Sequence, residues 1–85
     1  MMNLIGEFLG TIVFLYAVAK YGTPLSVGIG LAVAVYAFGH LSGGHYNPAV
    51  TFMKYLAGSV SQNTLIQYTL VQALAAYVLV KYLKR

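Results

Sequence analysis

Apolar residues fill three stretches of the chain, about 4–19, 25–41 and 65–80, each 16 or 17 residues long. Coiled as an α-helix, such a stretch rises roughly 25 Å, near the short end for crossing a hydrocarbon core about 30 Å thick. Between the first two lie Lys20, Tyr21, Gly22, Thr23 and Pro24. This group breaks one helix and starts the next, with Thr23 as N-cap and Pro24 at the first helical position. Polar, flexible residues from Gly58 to Asn63 introduce the third stretch. No linker is long enough to separate domains. The pattern predicts one unit, an all-α membrane protein with three transmembrane helices.

A fourth apolar piece, ending at Ala57 before Gly58, does not fit the rule of full spans. Counted from Pro48 it has ten residues, about 15 Å of helix and half of a crossing. Between two spans, such a helix either lies in the interface or dips to the midplane and returns. Irregular backbone at membrane depth is tolerated only where protein or a water-filled cavity surrounds it. A re-entrant loop and half-helix over about 42–57 would therefore imply a cavity beside it. Asn47 is a preferred N-cap and Pro48 fits the position after it, while Gly43 and Gly44 permit the tight turns before them.

Composition agrees: 60% of residues are hydrophobic and 7% are charged, against roughly a quarter charged in soluble domains. Five Lys/Arg and one acid give a net charge of +4. Lys81, Lys84 and Arg85 crowd the last five positions, which reads as a membrane-flanking cluster and not as a nucleic-acid surface. With no cysteine there is neither a disulfide framework nor a thiolate metal site. Ala17, Val18 and Ala19 look like a signal-peptide cleavage site, but no Lys or Arg precedes the apolar run, so the positive region of a secretory signal is missing.

The run from Gly39 to Thr51, Gly-His-Leu-Ser-Gly-Gly-His-Tyr-Asn-Pro-Ala-Val-Thr, resembles the first signature loop of the aquaporin and glycerol-facilitator family, the major intrinsic proteins. Glu7 to Thr11 resembles the family's first-helix Glu motif, and Tyr68 to Ala73, with Gln72, its third-helix pattern. The resemblance covers essentially the whole chain but only half of the family's usual protein. A full member resembles two such units fused in opposite orientation, with six spans and two half-helices meeting at their Asn-Pro-Ala ends in mid-membrane. The resemblance implies a channel and not an enzyme, with no cofactor or metal. It passes water and small uncharged solutes such as glycerol, and Asn47, Pro48 and Ala49 stand in the pore. It also implies that Glu7 is a strut accepting hydrogen bonds from the signature loop, supported by His45 and Gln72.

One half-helix and three spans are too few to enclose a pore. A second copy in inverted orientation would rebuild the inverted repeat known in other transporters, and because the family forms tetramers, four such pairs would make the full assembly. The positive-inside rule weighs against equal insertion in both orientations: one face carries Lys54, the other Lys20, Lys81, Lys84 and Arg85. The family's narrowest point resembles a four-residue ring with an Arg three residues after the second Asn-Pro-Ala Asn; the matching position here is Val50. Spacing carries the other ring positions to Val27, Val35 and Gly44, and Tyr46 is expected beside the pore because it precedes Asn47. All four ring positions are small or apolar, which implies a pore wide enough for glycerol.

Two other readings fit the residues. A small proton-coupled exporter also uses inverted pairs and an acid within a span, and would employ Glu7 facing a cavity. A truncated, non-conducting half-channel is the other. His40 and His45 with Glu7 make a poor metal-ligand set. Gly6 and Gly10 read as a close-packing helix face, and most of the eight Tyr, Tyr21 and Tyr82 among them, as anchors at the membrane interface.

Overall fold

Thr23 and Pro24 start the second span as their chemistry requires. In the computed structural model, which describes residues 1–83, Ser26 N–H donates to Thr23 Oγ1 and Thr23 N–H to Ser26 Oγ, each at 3.2 Å. This reciprocal cap opens α2, Pro24–Ser42; α1 spans Met2–Lys20, α3 Pro48–Leu56 and α4 Gln62–Leu83. Lys84 and Arg85, two of the cations counted on the C-terminal face, lie outside the described residues.

The three long helices have 19, 19 and 22 residues and are apolar enough to cross a membrane. At about 28 to 33 Å of rise they match a hydrocarbon core about 30 Å thick. They exceed the predicted apolar runs because polar flanking residues join them. α4 gains Gln62, Asn63 and Thr64, with Ser61 Oγ accepting from Thr64 N–H at 3.1 Å. α3 has nine residues, one fewer than counted from sequence, because Ala57 is its C-cap. Gly58 then turns at φ +80°, and Ser59 N–H closes on the Lys54 carbonyl at 2.8 Å.

α1 packs along α2 and α4, and α3 packs on α4. Small residues bring α1 and α2 together: a Cβ on Gly30 would stand 2.4 Å from Ala17 Cβ, and one on Gly6 2.6 Å from Leu41 Cβ. Lipid supplies no hydrophobic drive between helices, so close contact and buried hydrogen bonds hold such a bundle. Gly6 thus serves helix packing as expected. Gly10 instead receives an aromatic ring from the loop before α3, as described below.

The interior is unusually polar. Glu7, Thr11, Ser42, His45, Thr51 and Gln72 are buried, while Leu25, Ile29, Tyr36, Leu70 and Tyr77 point outward. That distribution suits a chain whose outer solvent is hydrocarbon, where polar groups must find partners inside.

Candidate functional site

The segment joining α2 to α3 folds inward. It needs unusual backbone to do so: Gly43, Gly44 and Tyr46 have φ of +91°, +72° and +58°, a region that costs glycine little. Its end is held by one group from each of α1 and α2. Tyr46 N–H donates to Glu7 Oε2 of α1, and Tyr46 hydroxyl donates to the Ala34 carbonyl of α2 at 2.9 Å. Nearer the loop's start, Tyr68 hydroxyl donates to the Ser42 carbonyl at 2.7 Å and Gly44 N–H to Ser42 Oγ at 3.1 Å. The His45 ring meets that of Tyr68 edge-on at 4.9 Å.

Gln72 of α4 completes the network. Its amide Nε2 donates to Glu7 Oε2 at 2.8 Å and to Thr51 Oγ1 at 3.0 Å. Thr51 Oγ1 also lies 3.0 Å from His45 Nδ1 and donates to the Asn47 carbonyl at 3.4 Å. A hydroxyl has one hydrogen and two lone pairs. All three are used when His45 carries its proton on Nδ1. Glu7, His45 and Gln72, singled out separately in the sequence, therefore meet around Thr51 and the loop backbone.

Asn47 caps α3: its Oδ1 accepts from Ala49 N–H at 2.8 Å, with extended backbone before the helix. The oxygen being committed, the amide hydrogens are left for other partners. Asn47, Pro48 and Ala49 are all exposed. Asn47 and Pro48 line a cavity of about 310 Å³ between α1 and α4, with Thr11 and Leu15 on one side and Thr69, Gln72 and Ala76 on the other. Thr11 Oγ1, Gln72 Oε1 and Glu7 Oε1 are buried with no hydrogen-bond partner. Native interiors leave few such groups. A second cavity of about 290 Å³ lies in the groove between α1 and α2, beside Ala17 and Gly30.

Two of the four positions matched to the filter, Gly44 and Val35, are neighbours. A Cβ on Gly44 would lie 3.6 Å from Val35 Cγ2, so these two stand together, with Val50 half-buried in the first turn of α3. Val27 lies about 12 Å from Val35 along α2. Tyr46 lines the first cavity yet is only 2% exposed. Among the described residues no three His, Cys, Asp or Glu side chains come together as a metal cluster.

Thr51, Tyr68 and the Ala34 carbonyl were not singled out from the sequence. Two signals were available. Thr51 stands four residues after Asn47 and Tyr68 four before Gln72, spacings that share a helix face. For the Ala34 carbonyl there was none.

Three helices long and apolar enough to cross a membrane, packed around buried polar side chains, mark an integral membrane protein. The family model described as major intrinsic protein matches residues 1–85, and the chain belongs to that family. It is 37% identical over 87 residues to "Glycerol uptake facilitator protein-like 6" of Lactiplantibacillus plantarum, covering 92% of this chain and 40% of that protein. It is 37% identical over 98 residues to "Aquaporin PIP2-7" of Arabidopsis thaliana, covering 95% and 35% respectively. With "Glycerol uptake facilitator protein" of Haemophilus influenzae the identity is 37% over 89 residues, covering 88% and 34%. The chain thus spans two fifths or less of these relatives. No solved structure gives a significant match.

Proposed function

We propose that the chain forms a passive channel for water and small uncharged solutes such as glycerol. Its pore is built from two inverted copies whose α3 helices meet at their Asn47-Pro48-Ala49 ends near the midplane, with α3 and its loop re-entrant. One observation supports this reading: α3 is about half as long as the helices able to cross a membrane, and a cavity lies at its N-terminus. Its nine residues rise roughly 13.5 Å, about half the depth of α1. The cavity continues between α1 and α4, and two residues that line it, Thr11 and Gln72, have buried oxygens, Oγ1 and Oε1, without partners. A helix N-terminus carries unpaired N–H groups, the complement of those acceptors. An inverted copy brings such a terminus from the opposite side.

Two convergent N-termini, each worth about half a positive charge, repel cations. The Asn47 amides of both copies donate to a passing water or hydroxyl oxygen, and carbonyls of Gly43 to Tyr46 accept from it. A neutral solute exchanges its water hydrogen bonds for these. An ion would lose a far costlier hydration shell. Inversion also brings Val27 of one copy level with Val35, Gly44 and Val50 of the other, at each end of the pore. The ring holds no Arg, so the constriction is wide and lacks one electrostatic barrier to protons. Four such pairs form the larger assembly. No covalent step and no energy source is involved.

The exporter reading finds less support. Glu7 is fully buried, bonded to loop backbone and Gln72, and lines neither cavity.

Stopped-flow light scattering on vesicles containing the purified protein tests the proposal. In an inward glycerol gradient they shrink and then re-swell, faster than empty vesicles. Shrinkage without faster re-swelling removes the wide pore, and water permeability equal to that of empty vesicles removes the channel.

A further inference from the structure

We infer that Tyr46 is a positioning residue for the pore, setting where Asn47 and Gly44 stand through a side chain wedged between α1 and α2 and withdrawn from the solute path. The inference rests on the channel reading above.

Among the described residues Tyr46 is the one non-glycine with positive φ. A bulky side chain keeps that conformation only where its surroundings hold it. Here they hold it at three points. The backbone N–H is tied to Glu7 of α1. The ring fills the space over Gly10, where a Cβ would come 2.1 Å from Tyr46 Cε1 and 2.3 Å from Cζ. The hydroxyl donates to the Ala34 carbonyl of α2 at 2.9 Å, in a buried setting. Contacts to two helices fix the Tyr46 backbone against both, and Asn47, the next residue, inherits that placement. The other edge of the ring backs the filter: a Cβ on Gly44 would lie 3.8 Å from Tyr46 Cε2. One side chain therefore links the amide that binds solute oxygen to the residue that narrows the path, although it is 2% exposed itself.

The test compares glycerol-to-water permeability ratios in vesicles. Tyr46→Phe keeps the wedge and frees the Ala34 carbonyl. It is expected to shift the ratio about fivefold, the factor that one net hydrogen bond commands, while the protein stays folded and monodisperse. Gly10→Ala alone drives a methyl into the ring and is expected to abolish folding. Gly10→Ala with Tyr46→Leu is expected to recover folded protein that conducts with an altered ratio. Folded variants keeping the wild-type ratio would make Tyr46 merely structural and overturn the inference, as would a double variant no better folded than Gly10→Ala. If wild-type protein does not conduct, the channel reading fails first and the positioning role falls with it.

Discussion

Gln72 Nε2 and Glu7 Oε2, 65 positions apart in sequence, meet at 2.8 Å in the buried centre of the bundle. The same oxygen accepts the Tyr46 N–H, so a single carboxylate atom ties α1 to α4 and to the loop before α3. In a membrane interior no water replaces a lost partner. The only acid in the chain therefore organises the site.

Gln72→Leu preserves bulk and removes both donations from Nε2. Stability should fall by about 2 kcal/mol, as for hydrogen bonds to a charged group that is left buried. Denaturation in mixed detergent followed by circular dichroism measures it. Thr51→Val should couple to Gln72→Leu by about 1 kcal/mol, since the two side chains share one network. Additive losses would show that the network is not cooperative.

Two glycines of α2 separate packing from propensity. Gly30→Ala sets a methyl against Ala17 at 2.4 Å and should cost about 1 to 3 kcal/mol by overpacking. Gly28 has nothing within 4 Å of its added Cβ, so Gly28→Ala should gain up to about 1 kcal/mol of helix propensity. Thermal melts in one detergent give both signs in a single experiment.

How much of this was legible in the sequence depended on range. Thr23 and Pro24 announced the start of α2, and Asn47 and Pro48 that of α3, because capping is settled by residues within one turn. The three spans were readable because hydropathy along one helix needs no partner. The Tyr46 wedge was not: that Gly10 seats a loop tyrosine and not a helix depends on α1 and α2 framing a slot, which neighbouring residues do not encode. Tyr46 was expected beside the pore, and Tyr68 entered only as the start of the third-helix pattern. Both are buried, with hydroxyls bonded to the Ala34 and Ser42 carbonyls.

Asn47→Asp separates the cap from the pore. The carboxylate still accepts the Ala49 N–H, so α3 should hold its start and the melt should be little changed. The amide donors are gone and a negative charge stands in the proposed solute path near the midplane. Glycerol and water permeability should drop at least tenfold, a loss of roughly 1.4 kcal/mol or more in barrier terms. Unchanged permeability in the folded variant would remove Asn47 from the solute path.

The meeting of two inverted α3 tips is tested most directly by a single cysteine at Pro48→Cys, in a chain that otherwise has none. Pro48 is exposed at the first position of α3. A disulfide needs Cα atoms about 4.4 to 6.8 Å apart, close to the two-fold axis. Mild oxidation in native membranes should convert the variant into covalent dimer. Gly58→Cys at the far end of α3 should stay monomeric, because inversion sets the two copies of that position about 27 Å apart, twice the rise of α3. A Pro48→Cys variant that stays monomeric, or a Gly58→Cys variant that crosslinks as readily, would contradict the inverted pair.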